Sequence, residues 1–336
     1  MALTRSGRRV DASPADVGRR LTLRYRLDTL GRNHSEAVGV LDRWSGAGNA
    51  GILMLRRRDD TTVRVPFGAV EAARVLPPDL SAYRMQELAE SIWPPRETRD
   101  LGTWRLRWTD GHTGRANSVR VAGPPEPSVD AVLADVGAWY RERGGRPLLQ
   151  VPDPTPWDER FERAGWVKLR RSRVLTSSTA LMLATGSRAE ERADMQLTRA
   201  DAPDEQWLAL YLDGSEPAAR TEFLHIVSAP QESVYISCRR AETGELLGIG
   251  RGTRIGEWAG ASAMVTAPAA RRRGVATAVT SALARWSNDM GLKRWFLQVF
   301  ADTEPAIALY DALGFVKHHD YVYWGVREDS EPAGIR

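Results

Sequence analysis

The stretch Pro268 to Ala276, Pro-Ala-Ala-Arg-Arg-Arg-Gly-Val-Ala, stands between a β-type run and an amphipathic helix. Its spacing, Arg271-x-x-Gly274-x-Ala276, is what a backbone needs in order to wrap a diphosphate. Glycine lets the chain approach a ligand closely, and the small Ala276 avoids crowding it. The first N–H groups of the helix have no intrahelical acceptor and, with the helix dipole, point at an anion. Arg271, Arg272, Arg273, Gly274, Val275, Ala276 and Thr277 are the expected anion-binding set.

The loop is braced from behind. Val275, Val279, Leu283, Trp286 and Met290 recur at steps of four, four, three and four, which makes one apolar helical stripe, and Gly291 sits where a C-terminal cap belongs. The chain has 336 residues, 42% of them hydrophobic, and no apolar run near the roughly 18 residues of a membrane span. A soluble protein of two or three domains is expected. The opening Met1 to Pro14 is polar and carries no export signal, which points to the cytoplasm. The lone Cys238, in the β-like run Val234-Tyr-Ile-Ser-Cys, reads as a small core residue.

From Val17 to Pro77, short alternating runs are separated by turn residues, with Leu21, Leu23, Tyr25 and Leu27 interleaved by Arg20, Thr22, Arg24 and Arg26. Further runs at 37–41, 51–57 and 62–67, the last two joined at Asp59-Asp60, predict a small closed β-barrel, similar to SH3-like or Tudor-like barrels. Residues 1–78 hold 14 Arg against 8 Asp plus Glu in a chain whose formal charge is only +4. Arg20, Arg24 and Arg26 share one strand face, which would serve a nucleic acid or an acidic partner. A solvated face is the alternative, because arginine is this chain's default cation: Lys168, Lys293 and Lys317 are the only lysines.

After a boundary at Pro77-Pro78 the pattern is mixed α/β, with a helix from about Val129 to Arg143 and a strand at 148–151. A polar linker, 185–194, precedes a restart. Ala131-Val132, Trp139 and Gly144 match Ala278-Val279, Trp286 and Gly291; Leu149-Gln150-Val151 matches Leu297-Gln298-Val299; Gly165-Trp-Val-Lys matches Gly314-Phe-Val-Lys. The ordered matches mark two tandem copies of one fold. Opposite the diphosphate loop, the first copy has Pro124-Pro-Glu-Pro, which lacks three N–H donors and adds an acidic side chain. The first copy is read as a structural partner.

Pro268-x-x-Arg271-x-x-Gly274-x-Ala276 and Ala306-x-x-Leu309-Tyr310-x-x-x-Gly314-Phe315 together resemble the two hallmarks of the GNAT acetyltransferases. The resemblance implies an α/β (α+β) fold. Residues 1–78 are expected to form the barrel, 79–184 a degenerate GNAT-like domain, 195–326 the active one and 327–336 a tail; tandem actinobacterial proteins described as histone-acetyltransferase-like are similar. It implies an acetyl-CoA-dependent N-acetyltransferase acting on a primary amine, on a protein lysine or N-terminus, or on a small amine as in mycothiol-type synthesis. By resemblance, Met264, Val265 and Thr266 hold the coenzyme arm, Ala306 lies beside it, and Tyr310 is the general acid, for which the first copy has Phe161. Where many relatives place an asparagine seven residues before the tyrosine, this chain has Thr303, between Asp302 and Glu304. Glu257, at the start of the strand that ends in Met264 to Ala267, is the candidate base, with an exposed residue of the Gly256-Glu257 turn as the alternative. His225 belongs to the acceptor region or to the core. Adjacent His318 and His319 on a strand should face opposite ways, so no metal site is expected. The competing reading is a non-catalytic acyl-CoA sensor or DNA-associated regulator.

Overall fold

In the N-terminal unit, Met1–Leu80, the described residues form a sheet of six strands: β1 (Arg9–Asp11), β2 (Arg20–Arg26), β3 (His34–Ser45), β4 (Ile52–Arg56), β5 (Thr62–Pro66) and β6 (Val70–Val75). In this computed structural model every residue is described except 1–8, 18–19, 28–32, 47, 58–60, 76–79, 112, 187–192, 214–217, 229–231 and 327–336. The expected Asp59-Asp60 turn, the Pro77-Pro78 boundary, most of the 185–194 linker and the 327–336 tail lie outside the described residues. A strand with alternating apolar residues must bury one face; Leu21, Leu23 and Tyr25 do so against Leu41, Leu53, Leu55 and Val65. The strands are ordered β1-β6-β2-β3-β4-β5, and among the described residues no pairing joins edge strands β1 and β5 to close a barrel.

The second unit, Ser81–Arg336, opens with α1 (Ala82–Ser91), capped by Ser81, whose hydroxyl accepts from the Arg84 N–H. The first copy follows as β7 (Glu97–Leu101), β8 (Trp104–Trp108), β9 (Val119–Arg120), α2 (Val129–Glu142), β10 (Leu148–Asp153), α3 (Asp158–Arg163) and β11 (Trp166–Ser178). After α4 (Thr179–Gly186) the second copy runs β12 (Met195–Ala200), α5 (Glu205–Tyr211), α6 (Ala218–Ser228), β13 (Ser233–Arg240), β14 (Leu246–Ile255), β15 (Trp258–Thr266), α7 (Val275–Asp289), β16 (Arg294–Phe300), α8 (Glu304–Ala312) and β17 (Val316–Val326). The order α2-β10-α3-β11 is repeated as α7-β16-α8-β17, so the sequence repeat is a structural one. Among the described residues no helix is long and apolar enough to cross a membrane.

Among the described residues the eleven strands of this unit form one sheet, β12-β13-β14-β15-β16-β11-β17-β10-β9-β8-β7. The final strands are exchanged. β11, from the first copy, pairs with β16 of the second, while β17, from the second, pairs with β10 of the first. β11 and β17 also pair with each other and form the seam. The repeat boundary in the sequence is therefore not a gap in the hydrogen bonding. In that seam the pairing skips His318 between Val174↔His319 and Leu175↔Lys317. Such a bulge re-aims a side chain, so the two histidine rings do not face opposite ways as strand alternation predicts; their Nδ1 atoms lie 2.8 Å apart.

Candidate active site

β15 and β16 run parallel but pair only from Trp258↔Arg294 to Ala261↔Leu297. On its other side β15 stays paired to β14, Arg251↔Ser262 and Ile249↔Val265, with one extra β15 residue between these pairs. That residue is in the bulge at Ala263, whose φ of 51° is rare for a residue with a Cβ. Past Ala261 the edge of β15 facing β16 has no strand partner among the described residues, and Met264, Val265 and Thr266 lie along it.

The chain leaves β15 through a 3-10 turn, Pro268–Ala270, and reaches α7 through exposed Arg271, Arg272 and Arg273. Arg272 has φ 57° and Gly274 has φ 79°. Gly274 is the N-cap of α7 and gives it no side-chain hydrogen bond. The first helical bond runs from the Ala278 N–H to the Gly274 carbonyl, which leaves the Val275, Ala276 and Thr277 donors without intrahelical acceptors.

α7 packs directly on the backbone of β14, which offers glycine at alternate positions. A Cβ on Gly248 would come within 2.5 Å of Val275 Cγ1, and one on Gly250 within 2.6 Å of Val279 Cγ1; one on Gly252 would come within 2.9 Å of Leu283 Cδ2. The predicted stripe of α7 is what fills this groove, together with Trp286.

Tyr310, on α8, is buried in the same core, and its ring meets Phe315 edge-on at 5.5 Å. Burial alone pushes its phenol up to about 12, so it is protonated at neutral pH. Thr303 is the N-cap of α8 without a side-chain cap bond; its hydroxyl donates to Asp302 at 3.4 Å. Asp302 pairs with Arg170 at 3.2 Å, which holds its carboxyl below the usual range. Glu304 supplies the acidic first turn. Ala306 packs against the Tyr310 core.

Glu257 is not brought to this place. It is exposed in the two-residue turn joining β14 to β15, five residues before Ser262 and thus roughly 16 Å from the bulge along an extended strand. His225 is half-buried on α6. On the N-terminal sheet, Glu71 lies 4.0 Å from Arg24, 3.9 Å from Arg26 and 3.0 Å from His34, so part of the predicted basic face is neutralised within the unit.

The first copy closes the equivalent place. Ser128 caps α2 by accepting from the Ala131 N–H at 3.2 Å. The Trp104 indole donates to the Gly123 carbonyl at 3.0 Å and Thr103 to the Pro124 carbonyl at 3.1 Å. Phe161 is fully buried against Trp104 and Trp324.

The family described as "Probable histone acetyltransferase Rv0428c C-terminal" matches residues 81–324. The "Probable histone acetyltransferase Rv0428c" of Mycobacterium tuberculosis is 31% identical over 324 residues, covering 91% of this chain and 94% of that relative. The chain belongs to the GNAT N-acetyltransferases. The acetyltransferase is also 26% identical over 250 residues to the "Uncharacterized N-acetyltransferase YobR" of Bacillus subtilis, covering 71% of this chain and 96% of the relative. Its fold is shared with a GCN5-related N-acetyltransferase from Kribbella flavida, at a TM-score of 0.56 and 15% identity, over 73% of this chain and 95% of that one. Such coverage is more than either copy of the acetyltransferase alone supplies.

Two features escaped the sequence reading. The Gly248-x-Gly250-x-Gly252 ladder was visible as a period-two signal within an apolar run. Ser262 is not singled out by the sequence and Gln298 enters only through the repeat, although each is a polar residue interrupting a buried strand.

Proposed function

We propose that the acetyltransferase takes its acetyl group from acetyl-CoA and delivers it to a primary amine, with residues 195–326 as the working copy. The observation that carries this reading is the contrast between two equivalent helix starts. Gly274 opens α7 with no side-chain cap, whereas Ser128 caps α2. One copy leaves its first-turn donors without a side-chain cap, as an anion site needs, and the other gives one of them, the Ala131 N–H, to Ser128.

The residues fit the coenzyme part by part. First-turn N–H groups of α7, with Arg271, Arg272 and Arg273, would hold the diphosphate. The unpaired edge at Met264, Val265 and Thr266 would take the extended amide arm as an added strand, with N–H groups there steadying a developing oxyanion. Thr303 and Ala306, at the start of α8, would flank that arm.

The amine must arrive as the free base, since a lysine-type amine with a pKa of about 10.4 is mostly ammonium at neutral pH. Its lone pair attacks the thioester carbonyl. The C–N bond forms and the C–S bond breaks; one proton leaves nitrogen and one reaches sulfur, giving an amide and a free thiol. Tyr310 would donate the proton to sulfur, a role worth roughly 10²–10⁴-fold. Because Glu257 stands in the far hairpin, solvent on the acceptor side is the proton's first receiver in this proposal.

The test is release of free CoA from acetyl-CoA in the presence of small amines, amino acids and basic proteins. An acceptor-dependent signal that falls to background in Tyr310→Phe is expected. If no acceptor raises CoA release above that variant, the enzymatic reading is lost.

A further inference from the structure

Ala261 and Leu297, the last paired residues of β15 and β16, point into the α7 core. Ser262 and Gln298, one residue further on, therefore point to the opposite face, which α1, α5 and α6 cover. A sheet face under helices is ordinarily apolar. Beside the apolar cluster that Trp207, Phe223, Tyr235 and Ile249 form under α5 and α6, this face also holds buried polar atoms that have no hydrogen-bond partner among the described residues: Ser262 Oγ, Gln298 Nε2, Gln86 Oε1, Arg251 Nε and Arg115 Nε. Register ties them to one face. Arg251 is opposite Ser262, and Tyr321, whose hydroxyl donates to Gln298 Oε1 at 2.7 Å, lies across the seam. Gln86 reaches down from α1 to within 3.4 Å of His319.

The charges on this face are unevenly compensated. Arg107 and Arg120 are both buried, and both have Glu90, at 3.6 and 2.7 Å. Arg251 is fully buried, yet its partners are the Ile92 carbonyl at 3.0 Å and Ser233 Oγ at 3.1 Å. Arg115 lies 5.2 Å over the ring of Trp93. Among the described residues neither Arg251 nor Arg115 has a carboxylate within ion-pair distance. Two guanidinium groups thus converge on the Ile92-Trp93 corner without a counter-ion, and a buried cation without one is costly. Four of the five orphaned atoms can donate hydrogen bonds.

We propose that this face is the acceptor chamber and that the acceptor is a small primary amine carrying its own carboxylate. The carboxylate is bound by Arg251 and Arg115 with help from Gln298, which sets the amine at Ser262, where β15 parts from β16. A polycationic protein tail is disfavoured by the same charges. The inference rests on the acetyltransferase reading for the identity of the reaction, and on the orphaned donors for the class of acceptor.

The experiment uses the full chain and matched amines with and without the carboxylate: phenylalanine and phenethylamine, serine and ethanolamine, histidine and histamine, plus a lysine-rich peptide. In turnover, kcat/KM for the preferred amino acid should exceed that of its decarboxylated partner by about 10²-fold or more. In calorimetry with Tyr310→Phe and CoA, the amino acid should bind and the partner should not. Gln298→Glu, near-isosteric and half-buried, should cut the preference about tenfold or more, by placing a like charge beside the carboxylate; Arg251→Met should abolish it if that variant folds. Loss of turnover for every amine with retained carboxylate-dependent binding would defeat the reaction but not the chamber. Equal binding of both members, binding of neither, or a preference for the lysine-rich peptide would overturn the chamber.

Discussion

Tyr310 joins two properties that usually exclude one another: a proton to give and a place away from water. Burial keeps the phenol protonated well above neutral pH, and Tyr310→Phe keeps the ring that meets Phe315 while removing only the hydroxyl. We expect kcat to fall about 10²-fold or more with the KM for acetyl-CoA little changed; steady-state kinetics separate the two. The same burial has a thermodynamic signature. Tyr140, Tyr235 and Tyr323 are also raised by burial, whereas an unfolded phenol titrates near pH 10. The folded state then holds protons that the unfolded state releases. This stability contribution is complete below about pH 10 and is lost as pH rises through the folded values, near 12 for Tyr310. Thermal melts should fall steeply from pH 10 upward, and replacing Tyr310 by Phe should soften that fall. Gly274, at φ 79°, makes a separate prediction. Gly274→Val pays a left-handed backbone cost of about 1–2 kcal/mol and puts a branched side chain where the anion must approach, so the KM for acetyl-CoA should rise about tenfold or more.

The glycine ladder of β14 belongs to the scale of elements. Gly250 leaves room for Met264 Sδ and Val279 Cγ1, each within 2.6 Å of a Cβ built there. Gly250→Val should cost about 2–3 kcal/mol by overpacking, readable as a lower denaturant midpoint, and should lift α7 from the sheet and weaken coenzyme binding. Much at this scale was legible beforehand. The stripe of α7, the cap at Gly291 and the loop at Gly274 are local patterns, and local patterns survive folding. Of the two readings of Glu257, base or exposed turn residue, the structure gives the second: Gly256-Glu257 is the two-residue hairpin turn between Ile255 and Trp258. The strand exchange was not legible. Gly165-Trp-Val-Lys and Gly314-Phe-Val-Lys open β11 and β17 with nearly the same residues, so nothing local states which strand belongs beside β10 and which beside β16. The bulge at His318 likewise depends on a partner strand that the sequence does not name.

At the scale of the whole molecule, the exchanged strands make the two copies one folding unit. Residues 195–336 expressed alone lack β10 and β11, which flank β17 and β16 in the intact chain. We expect that fragment to be insoluble or self-associated by size-exclusion chromatography, and co-expression with residues 79–186 to recover a soluble complex. A soluble, monomeric, cooperatively melting fragment would contradict this. The first copy thus supplies strands to the shared sheet although it has Pro124-Pro-Glu-Pro and Phe161 where the second copy has its loop and Tyr310. The exchange also matters while the chain is being made. β10 ends at Asp153 and its neighbour β17 begins only at Val316, a stretch that a ribosome delivers in roughly 10–30 s at about 5–20 residues per second. For that interval the newborn first copy exposes strand edges on both β10 and β11, the kind of surface that recruits other chains. A message cut short anywhere within the second copy would therefore yield a sticky product rather than a harmless half.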